Sequence, residues 1–199
     1  MDGNYRSFKV GQTRQFAVEI YIRDFELVDD HSVEKSVERV SGEQFMYSIV
    51  APVSYIDGKI FMVDLGPVAY GESPPLGTDL MKDDPRRAEK MCALSVGDVI
   101  KADVILSIDH YAYFEQHCKR PGVPRIIYTW HINGIESMTG QLVGDLSKPI
   151  RMWDRSGIQW HVTDETNGKT TSNSCYAINC TLLPVPSIGA EHTLEQDLY

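Results

Sequence analysis

No stretch of the chain approaches the roughly 20 consecutive apolar residues that a membrane-spanning helix needs. The opening segment, MDGNYRSFKVGQTRQ, has none of the apolar core of a secretory signal, so a cytoplasmic, reducing setting is the expectation. The glycine-rich phosphate cradles G-x-x-x-x-G-K-[ST] and G-x-G-x-x-G are missing, and so is the G-x-S-x-G nucleophile elbow. H-E-x-x-H, H-x-H and C-x-x-C are missing as well, so local spacing offers no metal site, and neither metal nor cofactor is expected. These absences exclude several large enzyme classes and leave open only catalysis by residues far apart in sequence. No internal repeat and no low-complexity tract is present.

Cysteine is scarce, with four in 199 residues. Cys175 and Cys180 are an odd number of positions apart, which in a strand sends them to opposite faces and away from a shared bridge or ion. Cys92 and Cys118 stand alone in sequence, and all four are expected as buried free thiols.

Positive charge is also in short supply. Nineteen lysines and arginines against 28 acids leave a net charge of −9. Such a surface repels phosphate backbones, which disfavours nucleic acid, and suits a cationic partner. The remaining composition, 42% hydrophobic and 24% charged, is that of a globular protein with one well-buried core.

What the chain does have is period-two alternation. Ile100, Ala102, Val104, Leu106 and Ile108 recur at every second residue, and the phase continues through His110, Ala112 and Phe114, with Tyr111 and Tyr113 opposite. A strand from Val99 to Glu115 would be about 55 Å long at 3.3 Å per residue, so it must curl or bulge, most naturally between Ser107 and His110. Phe16, Val18, Ile20 and Ile22 alternate similarly until the phase slips at Arg23-Asp24, the mark of a bulge, after which Phe25 and Leu27 carry the apolar face.

Asp57-Gly58 between two β-prone arms predicts a hairpin, and Asn133-Gly134 predicts a second. Pro52 makes the first arm an edge strand or an interrupted one. Further strands are expected at 126–132, 150–153, 158–163 and 176–182. Val33, Val37 and Val40 suggest a short helix, and Asp84-Pro85 supplies the cap and first position of another. The reading is a mainly β protein: a curved antiparallel sheet forming a small, OB-like barrel or a sandwich, with one or two short helices. Residues 1–14 are expected as a loose arm, 15–186 as one β-rich domain with a subdomain break at 66–97, and 187–199 as a mobile acidic tail.

Candidate ligand-binding residues follow from that layout. His110 on the central strand and His131 on a neighbouring one would approach each other if those strands paired, with Asp109 or Glu115 to orient one of them. His117 adjoins Cys118. Tyr111, Tyr113, Tyr128 and Trp130 concentrate aromatic surface near Lys119, Arg120 and Arg125, the ingredients of a single-strand-binding face. Aromatics in strands also simply fill cores. No residue qualifies as catalytic. The expected function is therefore binding without chemistry: an acidic protein that meets another protein, neutralising or inhibiting a basic partner. A small-molecule-binding barrel or enzyme using His110 and His131 is the first alternative, and an OB-like binder of single-stranded nucleic acid the second.

Overall fold

The computed structural model describes residues 7–29, 33–41, 45–58, 60–72, 90, 93–109, 112–140, 142–143, 152–153, 157–166 and 175–184. Strands dominate them: β1 (Thr13–Phe16), β2 (Val18–Val28), β3 (Ser36–Arg39), β4 (Met46–Ile56), β5 (Ile60–Asp64), β6 (Val68–Glu72), β7 (Val99–Ile108), β8 (Tyr128–Thr139), β9 (Leu142–Val143), β10 (Met152–Trp153), β11 (Gln159–Thr163) and β12 (Cys175–Leu182). A single π-helical turn, Tyr113–His117, lies between β7 and β8.

Five strands close into a mixed barrel. β4, β5 and β6 form an antiparallel meander, β7 pairs antiparallel with both β4 and β2, and β2 shuts the ring against β6 in parallel. This order, with its one parallel pair, is OB-like, except that the closing strand comes from before the meander rather than after it. The barrel takes strands from both sides of residues 66–97. Alternation decides what lies inside: Ile20, Ile22, Ile49, Val63, Ile100 and Val104 fill the interior, while Lys101 and Asp103 of β7 face out. The parallel seam is only two residue pairs long, Val18 with Ala69 and Glu19 with Tyr70. Chain approach there is close enough that a β-carbon on Gly71 would lie 2.4 Å from the Phe61 ring and 2.9 Å from the Ile20 carbonyl oxygen.

β8 is the spine of a second, antiparallel sheet. β1 and then β11 pair along one of its edges and β12 along the other. Phe16 stacks on Trp130 with ring centroids 5.4 Å apart, Phe8 meets Phe16 edge-on, and Ile132 and Ile135 complete the layer, onto which Val18 and Ile108 of the barrel pack. Phe8 is thus buried, and its N–H donates to the Thr166 hydroxyl, so the stretch expected as a loose arm is fastened down from residue 7 onward. β9 and β10 pair with each other apart from both sheets. A third apolar cluster lies outside the barrel wall, where Ile60, Met62 and Tyr70 meet Ala17, Tyr113 and Ile126.

Several sequence expectations hold. β2 skips Arg23 in its register with β7, placing the bulge where the phase slips. Asp57 and Gly58 connect β4 to β5. Only Gly58 takes a positive φ, and the Asp57 carboxylate accepts the Ile60 N–H at 3.0 Å. Cys118, Cys175 and Cys180 are free thiols, though half-buried rather than buried, while Cys92 lies outside the described residues.

Other expectations give way. Asn133-Gly134 is no turn; both residues lie inside β8. Neither adopts a positive φ, and Asn133 is instead the extra residue of a bulge, since Gly134 pairs with Asn179 and Ile132 with Cys180. The opposite edge of β8 changes partner at the same place, from β1 ending at His131 to β11 starting at Ile135. Val37 belongs to a strand and not a helix, because β-branched residues suit the ladder β3 makes with β4. Pro52 sits within a paired strand, at the position where β4 passes from β3 to β5 and a missing N–H costs nothing on that edge. The long strand expected to Glu115 ends at Ile108. Asp109 turns the chain: its N–H bonds the Ala17 carbonyl and its carboxylate accepts the Tyr113 N–H, starting the helical turn that takes in Phe114. His110, Tyr111, Asp84-Pro85 and residues 187–199 lie outside the described residues.

Candidate functional site

Two mirror-image triplets meet at the parallel seam: Glu19-x-Tyr21 on β2 and Tyr70-x-Glu72 on β6. Because Ile20 faces into the barrel, Glu19 and Tyr21 face out, and the pairing of Glu19 with Tyr70 sets the two triplets side by side. The Tyr113–His117 turn folds over them. Tyr113 and Tyr70 have ring centroids 5.2 Å apart, and Tyr70 and His117 6.2 Å.

Asp109 is buried at the inner end of this cluster and accepts the Tyr70 hydroxyl at 2.8 Å. A buried carboxylate is tolerable when such donors surround it, here the Tyr70 hydroxyl and the Tyr113 N–H. Burial, with Glu19 and Asp109 close by, pushes the Tyr70 phenol far up, so it stays a hydrogen-bond donor. Burial and the neighbouring Glu19 do the same to Tyr21.

Glu19 itself is half-buried. Burial lifts its carboxyl from 4.5 to about 7, the Tyr21 hydroxyl opposes that rise by hydrogen bonding to the charged form, and the charges of Asp109 and Glu72 add to it. One carboxyl in the cluster therefore changes protonation near neutrality.

His117 carries the opposite kind of tension. Arg120, ion-paired to Asp57 across the β4–β5 connection, approaches His117 Nδ1 at 3.2 Å. A guanidinium only donates, so Nδ1 must accept and the ring hydrogen resides on Nε2. That buried Nε2 has no hydrogen-bond partner among the described residues and faces Glu72 Oε1 at 3.7 Å.

Comparison with protein-family models, curated proteins and solved structures finds no match for this chain.

Of the candidates drawn from sequence, Asp109 and Tyr113 do meet in this cluster. Tyr113 serves as scaffold: it is fully buried, and its hydroxyl donates to the Pro124 carbonyl and accepts the Ile126 N–H. Both Tyr128 and Trp130 are on β8 of the second sheet, and of the two only Tyr128 packs against the apolar cluster that holds Tyr70 and Tyr113. The Tyr128 hydroxyl accepts the Val68 N–H at 3.0 Å, and the Trp130 indole N–H donates to the Phe16 carbonyl. His131 is on the opposite face of β8 from Trp130, between Thr13 and Thr181. β7 and β8 belong to different sheets, so the strand pairing on which an approach of His110 to His131 was expected is not made.

The three cysteines among the described residues offer no nucleophile. Burial raises the Cys118 and Cys175 thiols and takes Cys180 to about 11, which keeps them protonated at neutral pH. Among the described residues no three His, Cys, Asp or Glu side chains are grouped closely enough to hold a metal ion. Glu19 and Tyr21 escape notice because each reads as an outward residue of an ordinary alternating strand, and Tyr70 and Glu72 because they fall in the break expected at 66–97, where the structure has β6 instead. The mirrored Glu-x-Tyr and Tyr-x-Glu triplets were the available signal, and only a parallel pairing gives them meaning.

Proposed function

We propose that this protein works by binding a basic protein through its second sheet, without chemistry of its own. The observation that carries the reading is β11. Among the described residues it pairs on one side only, with β8, and its Val162 is 83% exposed. Val10 lies alongside, its N–H bonded to the Asp164 carbonyl, and is also exposed. An apolar side chain held in water on a strand with an unpaired edge is what strand addition uses: the partner's main chain continues the ladder and its side chains cover the valines. The net charge of −9 supplies the preference for a basic partner by steering the encounter. The nucleic-acid reading is less favoured, because Tyr113 and Trp130, which it needs for stacking, are buried.

The test is capture from an extract of the source cells on immobilised protein, with Val162→Lys run in parallel. A partner of basic isoelectric point should bind the wild type, elute with salt and fail to bind the variant, while both proteins show the same circular dichroism and melting. Equal capture by the two, or capture indifferent to salt, refutes the proposal.

A further inference from the structure

The β2–β6 seam sets a buried donor without an acceptor beside carboxylates with acceptors to spare. His117 Nε2–H is aimed at Glu72 but falls short of it at 3.7 Å, and no other acceptor among the described residues is within reach. Glu19 and Glu72 border the same place, and the hydroxyls of Tyr21 and Tyr70 are committed to Glu19 and Asp109.

Three classes of ligand group can be weighed against this set. An ammonium or guanidinium would satisfy the carboxylates, yet it has no acceptor to offer His117. A carboxylate or phosphate would accept from His117 and be repelled by Glu19, Glu72 and Asp109. A hydroxyl does both, accepting from the imidazole while donating to a carboxylate, and two adjacent hydroxyls can each donate to one carboxyl group. Tyr21, 44% exposed, adds an aromatic surface next to these acceptors, suited to the carbon-bound hydrogens of a sugar ring.

We propose that the seam is a saccharide-binding site in which Glu19 and Glu72 accept from adjacent hydroxyls, His117 Nε2–H donates to one of them, and the Tyr21 ring packs on the sugar's carbon face. The site lies on the barrel wall and is independent of the β11 edge, so either proposal can fail alone.

The experiment follows the His117 ring nitrogens and the Tyr21 ring by NMR in the full chain. Methyl glucoside, methyl galactoside, methyl mannoside, glycerol and arginine methyl ester are titrated in separately. At least one methyl glycoside should shift both residues saturably with a Kd of about 1 mM, weakened about tenfold in Tyr21→Ala and in Glu72→Gln. Saturation transfer from the Tyr21 ring to the glycoside ring protons checks the same pose in the wild type and does not depend on the variants folding. If no glycoside moves these signals, the site holds water only and the proposal is wrong. If arginine methyl ester moves them saturably and the glycosides do not, the site is cationic and the proposal is equally overturned.

Discussion

Replacing Glu19 with glutamine should make the protein more stable in mild alkali and leave it nearly unchanged in acid. The folded carboxyl titrates at about 7 and its ordinary value is 4.5, so between those values the folded chain retains a proton that the unfolded chain has released. With more protons bound in the folded state, unfolding free energy falls as pH rises across that window, and above it the loss is complete. At about 1.36 kcal/mol for each pH step, the interval corresponds to about 3.4 kcal/mol. Glu19 is only half-buried, and solvent screening brings the expected penalty to about 1–2 kcal/mol. Glutamine keeps the shape and a hydrogen-bonding oxygen for Tyr21 but cannot ionise. Urea melts of both proteins at about pH 4 and about pH 8, with equal slopes, should give near-coincident midpoints in acid and a higher midpoint for Glu19→Gln in alkali. A gap between the two that is the same at both pH values would refute the account of Glu19 as a buried acid crowded by Asp109 and Glu72.

Tyr70→Phe removes a donor to buried Asp109 and should cost about 1–3 kcal/mol in a denaturant melt; a cost below about 0.5 would mean that Asp109 does not need this hydroxyl. Gly71→Ala forces a methyl group into the Phe61 ring and the Ile20 carbonyl and should destabilise by about 1–3 kcal/mol, whereas a neutral result would show that the seam is looser than described. Gly134→Ala meets nothing within 4 Å and has no positive φ to strain, so it should be neutral or stabilising by up to about 1 kcal/mol. Destabilisation there would restore the hairpin that the Asn-Gly pair suggested.

The barrel was legible wherever one strand face is buried and the other wet. Ile100, Ala102 and Val104 announce their own orientation, and the slip at Arg23-Asp24 announces the bulge, because each is a property of a single segment. The end of β7 was not legible in the same way. Ala112 and Phe114 resume the alternation by coincidence, and what stops the strand is a carboxylate, Asp109, anchored by a tyrosine some forty residues earlier in the chain. Asn133-Gly134 misled for a related reason: the dipeptide permits a turn, but the ladder with β12 takes Asn133 as a bulge while the other edge of β8 passes there from β1 to β11. The candidate site depends entirely on such long-range pairing. Glu19 and Glu72 look like solvent-facing charges until β2 and β6 are known to run side by side, and His117 has a role only once the turn after Asp109 lays it over them.

The order of strands around the barrel also constrains how the chain can reach it. β2 is made early but finds its antiparallel partner in β7, about 80 residues later, and its parallel partner in β6, about 50 later. During synthesis it must therefore wait, alternating and apolar on one face, while the β4–β5–β6 meander can already pair with itself. Loop closure over such distances is slow, and every barrel strand except the meander depends on it. β7 is consequently the strand whose arrival commits the molecule, since it brings both β4 and β2 into one ring. Until then β2 is the segment most exposed to pairing with the wrong chain.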